Sequence, residues 1–243
     1  MKNKIIILAI AICMGVGVKA QEVAYTNATE FPLYGKISNE TNMRYERLPA
    51  KLEGVSRKDV WRLGRNSAGL YIRFCSNTTS VRIKWESLFE HKENHMSDLA
   101  TRGMDLYALV DGEWKAVAPI RPTRTGMNEW AVVRNMLPIE REYMLYLSLY
   151  DGVKTIEIGV DKDAYLEQPK VKSPSTEKPI VMYGTSILQG GCSSRPGMCY
   201  TNILSRKFDR EVFNLGFSGN ARLDMEIAEL MATVKDPGVF VID

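Results

Sequence analysis

Once the first twenty residues are set aside, the 243-residue sequence has no excess charge of either sign. Lys2, Lys4 and Lys19 supply the whole formal charge of +3, and the rest is balanced between basic and acidic side chains. A balanced chain offers no electrostatic footprint for nucleic acid. Long apolar runs are also missing beyond the N-terminal region, so no membrane span is expected. Cysteine, at four residues, is too sparse for a disulfide scaffold, and histidine is represented by His91 and His95 alone. No internal repeat or low-complexity tract is present. What remains, 45% hydrophobic and 25% charged, is the balance of an ordinary globular chain.

The N-terminal region has its own pattern. Lys2 and Lys4 precede an apolar run from Ile5 to Val18 that closes with Lys19-Ala20. Residues 1–20 therefore read as a secretory signal peptide and the protein as exported, to the periplasm or the extracellular space. A lipid-modified Cys13 is the rival reading, but Cys13 lies in mid-run behind Ile12. Cys75, Cys192 and Cys199 remain after cleavage. Cys192 and Cys199 flank the Ser193-to-Gly197 turn at a spacing that permits a disulfide, while Cys75 reads as a small buried hydrophobe.

From Glu22 to Tyr165 the pattern has period two. Leu70, Ile72 and Phe74 alternate with Tyr71 and Arg73, and Val81, Ile83 and Trp85 alternate with Arg82 and Lys84, as half-buried strands do. Asp111-Gly112 and Asp151-Gly152 each sit between two strand-like runs and predict two hairpins. Residues 22–166 thus read as an antiparallel β-sandwich. Residues 167–179 carry three prolines and no apolar periodicity, as a linker would. From residue 180 strand alternates with helix: Ile180 to Tyr183, Tyr200 to Phe208, Val212 to Asn214, Met225 to Lys235 and Val239 to Ile242. That alternation predicts a parallel α/β sheet.

Ser186 stands just past the carboxyl end of the first of these strands, after Gly184, at the edge where open α/β sheets place their active sites. Gly216 and Gly219, after the second strand, bring main-chain N–H groups to the same edge and offer donors for an oxyanion. Spacing alone leaves two readings open, a nucleophile or a plain strand-to-helix turn.

The run from Tyr183 to Met198, with Asn214-Leu-Gly-Phe-Ser-Gly-Asn220, resembles the SGNH (GDSL-type) acylhydrolases. Gly103-Met-Asp-Leu-Tyr107 resembles the GxDLY β-sandwich module that precedes the catalytic domain in a secreted subfamily. The resemblance implies a two-domain protein, an N-terminal antiparallel β-sandwich followed by a flavodoxin-like, SGNH-type α/β domain. It further implies Ser186 as nucleophile, the N–H of Gly216 in the oxyanion hole, and a metal-free, cofactor-free serine esterase acting through an acyl-enzyme. Thr185 stands where the commoner family signature has Asp. The family's third-block Asn and its Asp-x-x-His block have no counterpart here. Ser175 to Asp243 comprises only 69 residues, fewer than the roughly 100–200 such a domain needs. The chain is accordingly expected to be the front part of an esterase, truncated within its hydrolase domain and inactive alone, with Val239 to Ile242 left as an apolar edge strand.

Other residues carry weaker expectations. Arg195 and Asn220 lie beside the two catalytic-edge loops and are candidates for contact with substrate. His91 and His95 have an i, i+4 spacing that reads first as a solvated loop, then as a metal pair or a substrate contact. Trp85 and Trp114 keep phase with the core, whereas Trp61 and Trp130 are candidates for an exposed sugar-stacking platform. Asp105 and Tyr107 read as a buried polar pair. The expected substrate is a small ester, an O-acetyl group on a carbohydrate foremost. The alternative is a non-catalytic glycan-binding or interaction protein whose sandwich is the working part.

Overall fold

A computed structural model describes residues 22–243. The expected signal peptide and Cys13 lie outside the described residues. Thirteen strands and five short α-helices are found among those described. Strands β1 (Val23–Asn27), β4 (Val81–Ser87), β7 (Met127–Val133) and β9 (Val153–Asp161) form one antiparallel sheet in the order β1-β9-β4-β7. Strands β3 (Tyr71–Ser76), β5 (Met104–Val110), β6 (Glu113–Ile120), β8 (Arg141–Tyr146) and β10 (Leu166–Glu167) form the second, in the order β10-β3-β8-β5-β6, with β2 (Leu33–Tyr34) also on β3. The core between the sheets holds Phe74, Ile83, Trp85, Leu106, Tyr143 and Ile158, all fully buried. Along β4 the expected alternation is present residue by residue, with Val81, Ile83 and Trp85 inside and Arg82, Lys84 and Glu86 half-exposed.

Two expectations for the sandwich are corrected. In β3 all six residues are buried, Tyr71 and Arg73 included. The outer face of that strand is covered: Tyr34 stacks on Tyr71, and Arg73 pairs with Glu142 at 2.7 Å beneath the Trp114 ring. Asp111-Gly112 does turn a hairpin between β5 and β6, both residues having positive φ. Asp151-Gly152 does not, because β8 and β9 belong to opposite sheets. Asp151 instead accepts the N–H groups of Phe89 and His91, at 2.8 and 2.9 Å, and anchors the loop that carries both histidines.

The parallel sheet contains β11 (Ser175–Gly184), β12 (Arg210–Gly216) and β13 (Val239–Ile242) in the order β12-β11-β13. Helices α3 (Ser186–Gln189) and α4 (Tyr200–Phe208) serve one face, where Leu188, Tyr200 and Leu204 meet Met182 and Val212. Helix α5 (Met225–Ala232) serves the other, with Ile227, Leu230 and Met231 on Val181, Tyr183, Phe213 and Leu215. Strand β13 is an edge strand with Val239, Phe240 and Ile242 exposed. No helix of the described residues is long and apolar enough to cross a membrane.

Packing crosses the expected boundaries at 22–166, 167–179 and 180–243. Helix α1 (Lys58–Gly64) and its approach contribute Leu48, Leu52, Val60 and Leu63 to the core of the parallel sheet. These residues belong to the sandwich in sequence and to the α/β layer in space. The proline-rich stretch is likewise tied down: Glu142 Oε1 accepts the N–H groups of Lys170 and Val171, and β11 already begins at Ser175. Non-local packing of this kind leaves no periodicity to read.

Candidate active site

Strand β11 is buried along Val181 to Gly184 and delivers Ser186 to the first position of α3, at the carboxyl edge of the sheet. The side chain of Ser186 is half-exposed, and its hydroxyl has no hydrogen-bond partner among the described residues. Its carbonyl is heavily engaged, accepting from the N–H of Gly190 at 3.1 Å, the N–H of Gly191 at 2.7 Å and the Tyr150 hydroxyl at 3.2 Å. Tyr150 comes from the sandwich, so the turn bearing the nucleophile candidate is held partly by the N-terminal segment.

Asn214 on β12 organises the space beneath. Its Nδ2 donates to the Leu188 carbonyl at 2.8 Å and to Thr201 Oγ1 at 3.1 Å, tying α3 and α4 to the central sheet. Its Oδ1 accepts the N–H of Gly216 at 2.9 Å. This corrects the expectation that Gly216 supplies an oxyanion donor, because a donor already bonded to an internal acceptor is not offered to substrate. Gly216 serves close packing instead: a Cβ there would sit 2.2 Å from the Gln189 main-chain nitrogen.

The free donor on this side is three residues further on. Gly219 is exposed at the top of a turn closed by Asn220 N–H to the Phe217 carbonyl at 2.8 Å, with φ of +66°. Its own N–H has no acceptor among the described residues, and neither has that of Ser186. The sequence signal was Gly219 itself, which shares its edge with Gly216 and needs the left-handed region that glycine enters without steric penalty. Buried Gln189 fixes the turn relative to α3, its Oε1 accepting the N–H of Ser218 at 2.9 Å and its Nε2 donating to the Leu149 carbonyl at 3.2 Å.

Two arginines from the N-terminal segment clamp this edge from below. Arg47, fully buried, donates to the carbonyls of Asn214 and Gly216, both at 2.9 Å, and to those of Asn66 at 2.9 Å and Leu63 at 2.6 Å. Burial without a carboxylate partner pushes its pKa down to about 10. Arg57 pairs with Asp224 at 2.5 Å and holds both the carbonyl and the side-chain oxygen of Asn220. The Arg57 guanidinium and its own main chain, through Nδ2 to the Ser218 carbonyl at 2.9 Å, thus occupy the Asn220 amide. Asn220 shapes the turn rather than projecting from it.

Arg195 points inward too. Its Nε donates at 2.9 Å to Oδ2 of Asp105, a fully buried carboxylate on β5 that also receives the N–H of Gly197 at 3.1 Å. Cys192 and Cys199 are unbonded: Cys192 is exposed, whereas Cys199 is buried with its sulfur 3.2 Å from Thr201 Oγ1. His91 Nε2 is 2.8 Å from Glu93 Oε1 and His95 Nδ1 is 3.7 Å from Glu93 Oε2, so both imidazoles turn to one carboxylate of their own loop. Trp61 and Trp130 are half-buried against the two main cores.

A cavity of about 520 Å³ lies between the sandwich and the loop that follows α3. Its wall from the α/β side is Cys192, Ser193 and Ser194, and its wall from the sandwich includes His95, Ser97 and Arg121. The Arg121 guanidinium and the hydroxyls of Ser193 and Ser194 have no partners among the described residues.

Comparison with known proteins gives the family. Residues 23–166 match the GxDLY family, the N-terminus of SGNH-hydrolase-type esterases, and residues 177–243 match the GDSL-like lipase/acylhydrolase family. No curated protein matches the chain in sequence. A solved structure of a candidate GDSL-like lipase from Bacteroides ovatus ATCC 8483 is 36% identical, with a TM-score of 0.85, over 91% of this chain and 64% of that one. The salicylyl-acyltransferase SsfX3 of a tetracycline biosynthetic pathway shares the fold, with a TM-score of 0.66 at 14% identity, over 91% of this chain and 62% of that one. The chain thus spans a little under two thirds of each relative's length. The chain belongs to the SGNH-hydrolase-type esterases that carry a GxDLY N-terminal module.

Proposed function

We propose that the chain carries the nucleophile and oxyanion portion of a serine esterase. The observation behind this is one of free groups: among the described residues the Ser186 hydroxyl and the N–H groups of Ser186 and Gly219 lack internal partners at the carboxyl edge, whereas the N–H groups of Gly216 and Ser218 are engaged. Ser186 Oγ attacks the ester carbonyl, the two N–H groups receive the developing oxyanion, and the alcohol leaves to give an acyl-enzyme. The substrate we favour is a small acyl ester of a hydroxyl-rich alcohol, an O-acetylated carbohydrate, met outside the cytoplasm. The cavity along the loop that follows α3 has Arg121, Ser193 and Ser194 in its wall, and these would offer such an alcohol hydrogen-bonding groups.

The chemistry also needs a base to take the Ser186 proton, and no residue described here is hydrogen-bonded to that hydroxyl. Without one, roughly 10³–10⁴ over water is what binding and an oxyanion hole leave to a triad enzyme. The chain is therefore expected to hydrolyse 4-nitrophenyl acetate at no more than that residual rate, and a longer form supplying an Asp-x-x-His block is expected to hydrolyse it rapidly in a manner that Ser186→Ala abolishes. Fast, Ser186-dependent turnover by the 243-residue chain alone would contradict the missing base. A longer form indifferent to Ser186→Ala would remove the nucleophile assignment.

A further inference from the structure

The five-residue GxDLY motif has two faces. Met104 and Leu106 enter the sandwich core, while Asp105 and Tyr107 on the opposite side of β5 meet the loop that follows Ser186. Gly197 of that loop is pressed so closely between them that a Cβ would lie 2.3 Å from the Tyr107 ring and 2.6 Å from Asp105 Oδ2. The Tyr107 ring is in turn covered by Arg206 of α4, whose guanidinium is 4.3 Å from the ring centroid and whose Nη2 donates to the Gly197 carbonyl at 2.8 Å. Asp105 therefore holds two residues of the loop at once, receiving Arg195 Nε and Gly197 N–H, and Gly197 in turn meets Arg206 of α4. The same loop, upstream, binds the Ser186 carbonyl through the N–H groups of Gly190 and Gly191 and provides Cys192, Ser193 and Ser194 as a wall of the cavity. The side chain of Ser97, on the sandwich side of that cavity, reaches the Ser194 carbonyl at 3.5 Å.

We propose that Asp105 is a positioning residue for the catalytic edge, holding through Arg195 and Gly197 the 190–198 loop whose Gly190 and Gly191 N–H groups bind the Ser186 carbonyl, so that this turn and the cavity wall formed by the loop keep their place. The motif of the sandwich thereby sets the geometry of a site to which it contributes no reacting atom. The proposal goes beyond the esterase reading, since the order of the loop can be measured without turnover, and failure of one leaves the other standing.

Cys192 supplies the reporter. It is the exposed thiol in this loop, while Cys75 and Cys199 are buried. In a Cys13→Ser background of the full chain, a nitroxide attached to Cys192 is expected to show a predominantly immobilised spectrum. Asp105→Ala and Arg195→Ala are each expected to abolish the immobilised component, and Asp105→Asn, which keeps the acceptor for Gly197, is expected to restore part of it. Arg195 is partly exposed, so its removal tests the same bond in a folded protein if the Asp105 variants do not fold. An Arg195→Ala protein whose label is as immobile as that of the parent would overturn the proposal. So would an Asp105→Ala protein that loses stability while its label spectrum stays unchanged, since Asp105 would then be a core residue only.

Discussion

Glu211 offers a measurable test of how the two segments are joined. It lies on β12 with its carboxyl buried against the sandwich, and its Oε1 receives one hydrogen bond, from the N–H of Gly35 at 2.7 Å. Burial, against that single bond, pushes its pKa from 4.5 up to about 7. A carboxyl raised in the folded state stabilises the fold while protonated. Its contribution is complete below about 4.5 and is lost as pH climbs through about 7. At 1.36 kcal/mol for each tenfold change, the full loss is roughly 3 kcal/mol, a sizeable part of a typical 5–15 kcal/mol stability. Glu211→Gln keeps the shape and an acceptor for Gly35 but cannot ionise. Urea unfolding of both proteins across pH gives the difference directly, and contributions from other titrating groups such as Asp105, pushed up to about 6, cancel in it. The advantage of the Gln variant is expected to grow by roughly 2–3 kcal/mol between about pH 5 and about pH 8.5. A difference that stays flat over that range would show that Glu211 ionises without penalty, and the burial argument for the seam would be wrong.

Other expectations are simpler to state. Arg47→Ala strips the donor from four main-chain carbonyls and is expected to lower the unfolding free energy by about 3–5 kcal/mol, with Arg47→Lys recovering part of it because an ammonium cannot reproduce the planar fork. The two glycines after β12 separate by mechanism. Gly216→Ala drives a Cβ into the Gln189 main chain and is expected to cost more than about 2 kcal/mol, whereas Gly219→Ala meets open space and carries only the left-handed backbone penalty of about 1–2 kcal/mol, a contrast that thermal melts resolve. Ser186→Ala removes a hydroxyl without a partner and is expected to leave stability within about 0.5 kcal/mol. A larger loss would mean that Ser186 has a structural duty.

What the sequence disclosed follows the range of the interactions concerned. Strand β4, the Asp111-Gly112 hairpin, helix α4 and strand β13 stand where local period and turn chemistry place them. The place of Ser186 at the carboxyl edge was legible because a short buried strand followed by glycine is itself a local signal. Gly216 misled because its spacing from the strand end is as good as that of Gly219. Only the Asn214 side chain, folding back to take its N–H, separates them. Tyr71 and Arg73 misled for a related reason, since alternation reports which side of a strand faces its own core and says nothing about a second layer on the other side. Arg195, Asn220 and Arg47 belong to interactions spanning from about twenty to more than a hundred and fifty residues of sequence, for which one chain read alone holds no periodicity.

The clamp at Arg47 has an ionic-strength consequence. Its acceptors are neutral main-chain dipoles, and no carboxylate pairs with it, so dissolved ions have no exposed charge pair to screen. Surface pairs such as Lys162 with Glu22 and Lys170 with Glu140, more than 45% exposed on both sides, fade as the Debye length shrinks to about 3 Å in molar salt. The joint beneath the catalytic edge does not share that dependence. Concentrated salt would therefore strip the surface of its electrostatic contacts while the sandwich and the parallel sheet stay locked together under Ser186.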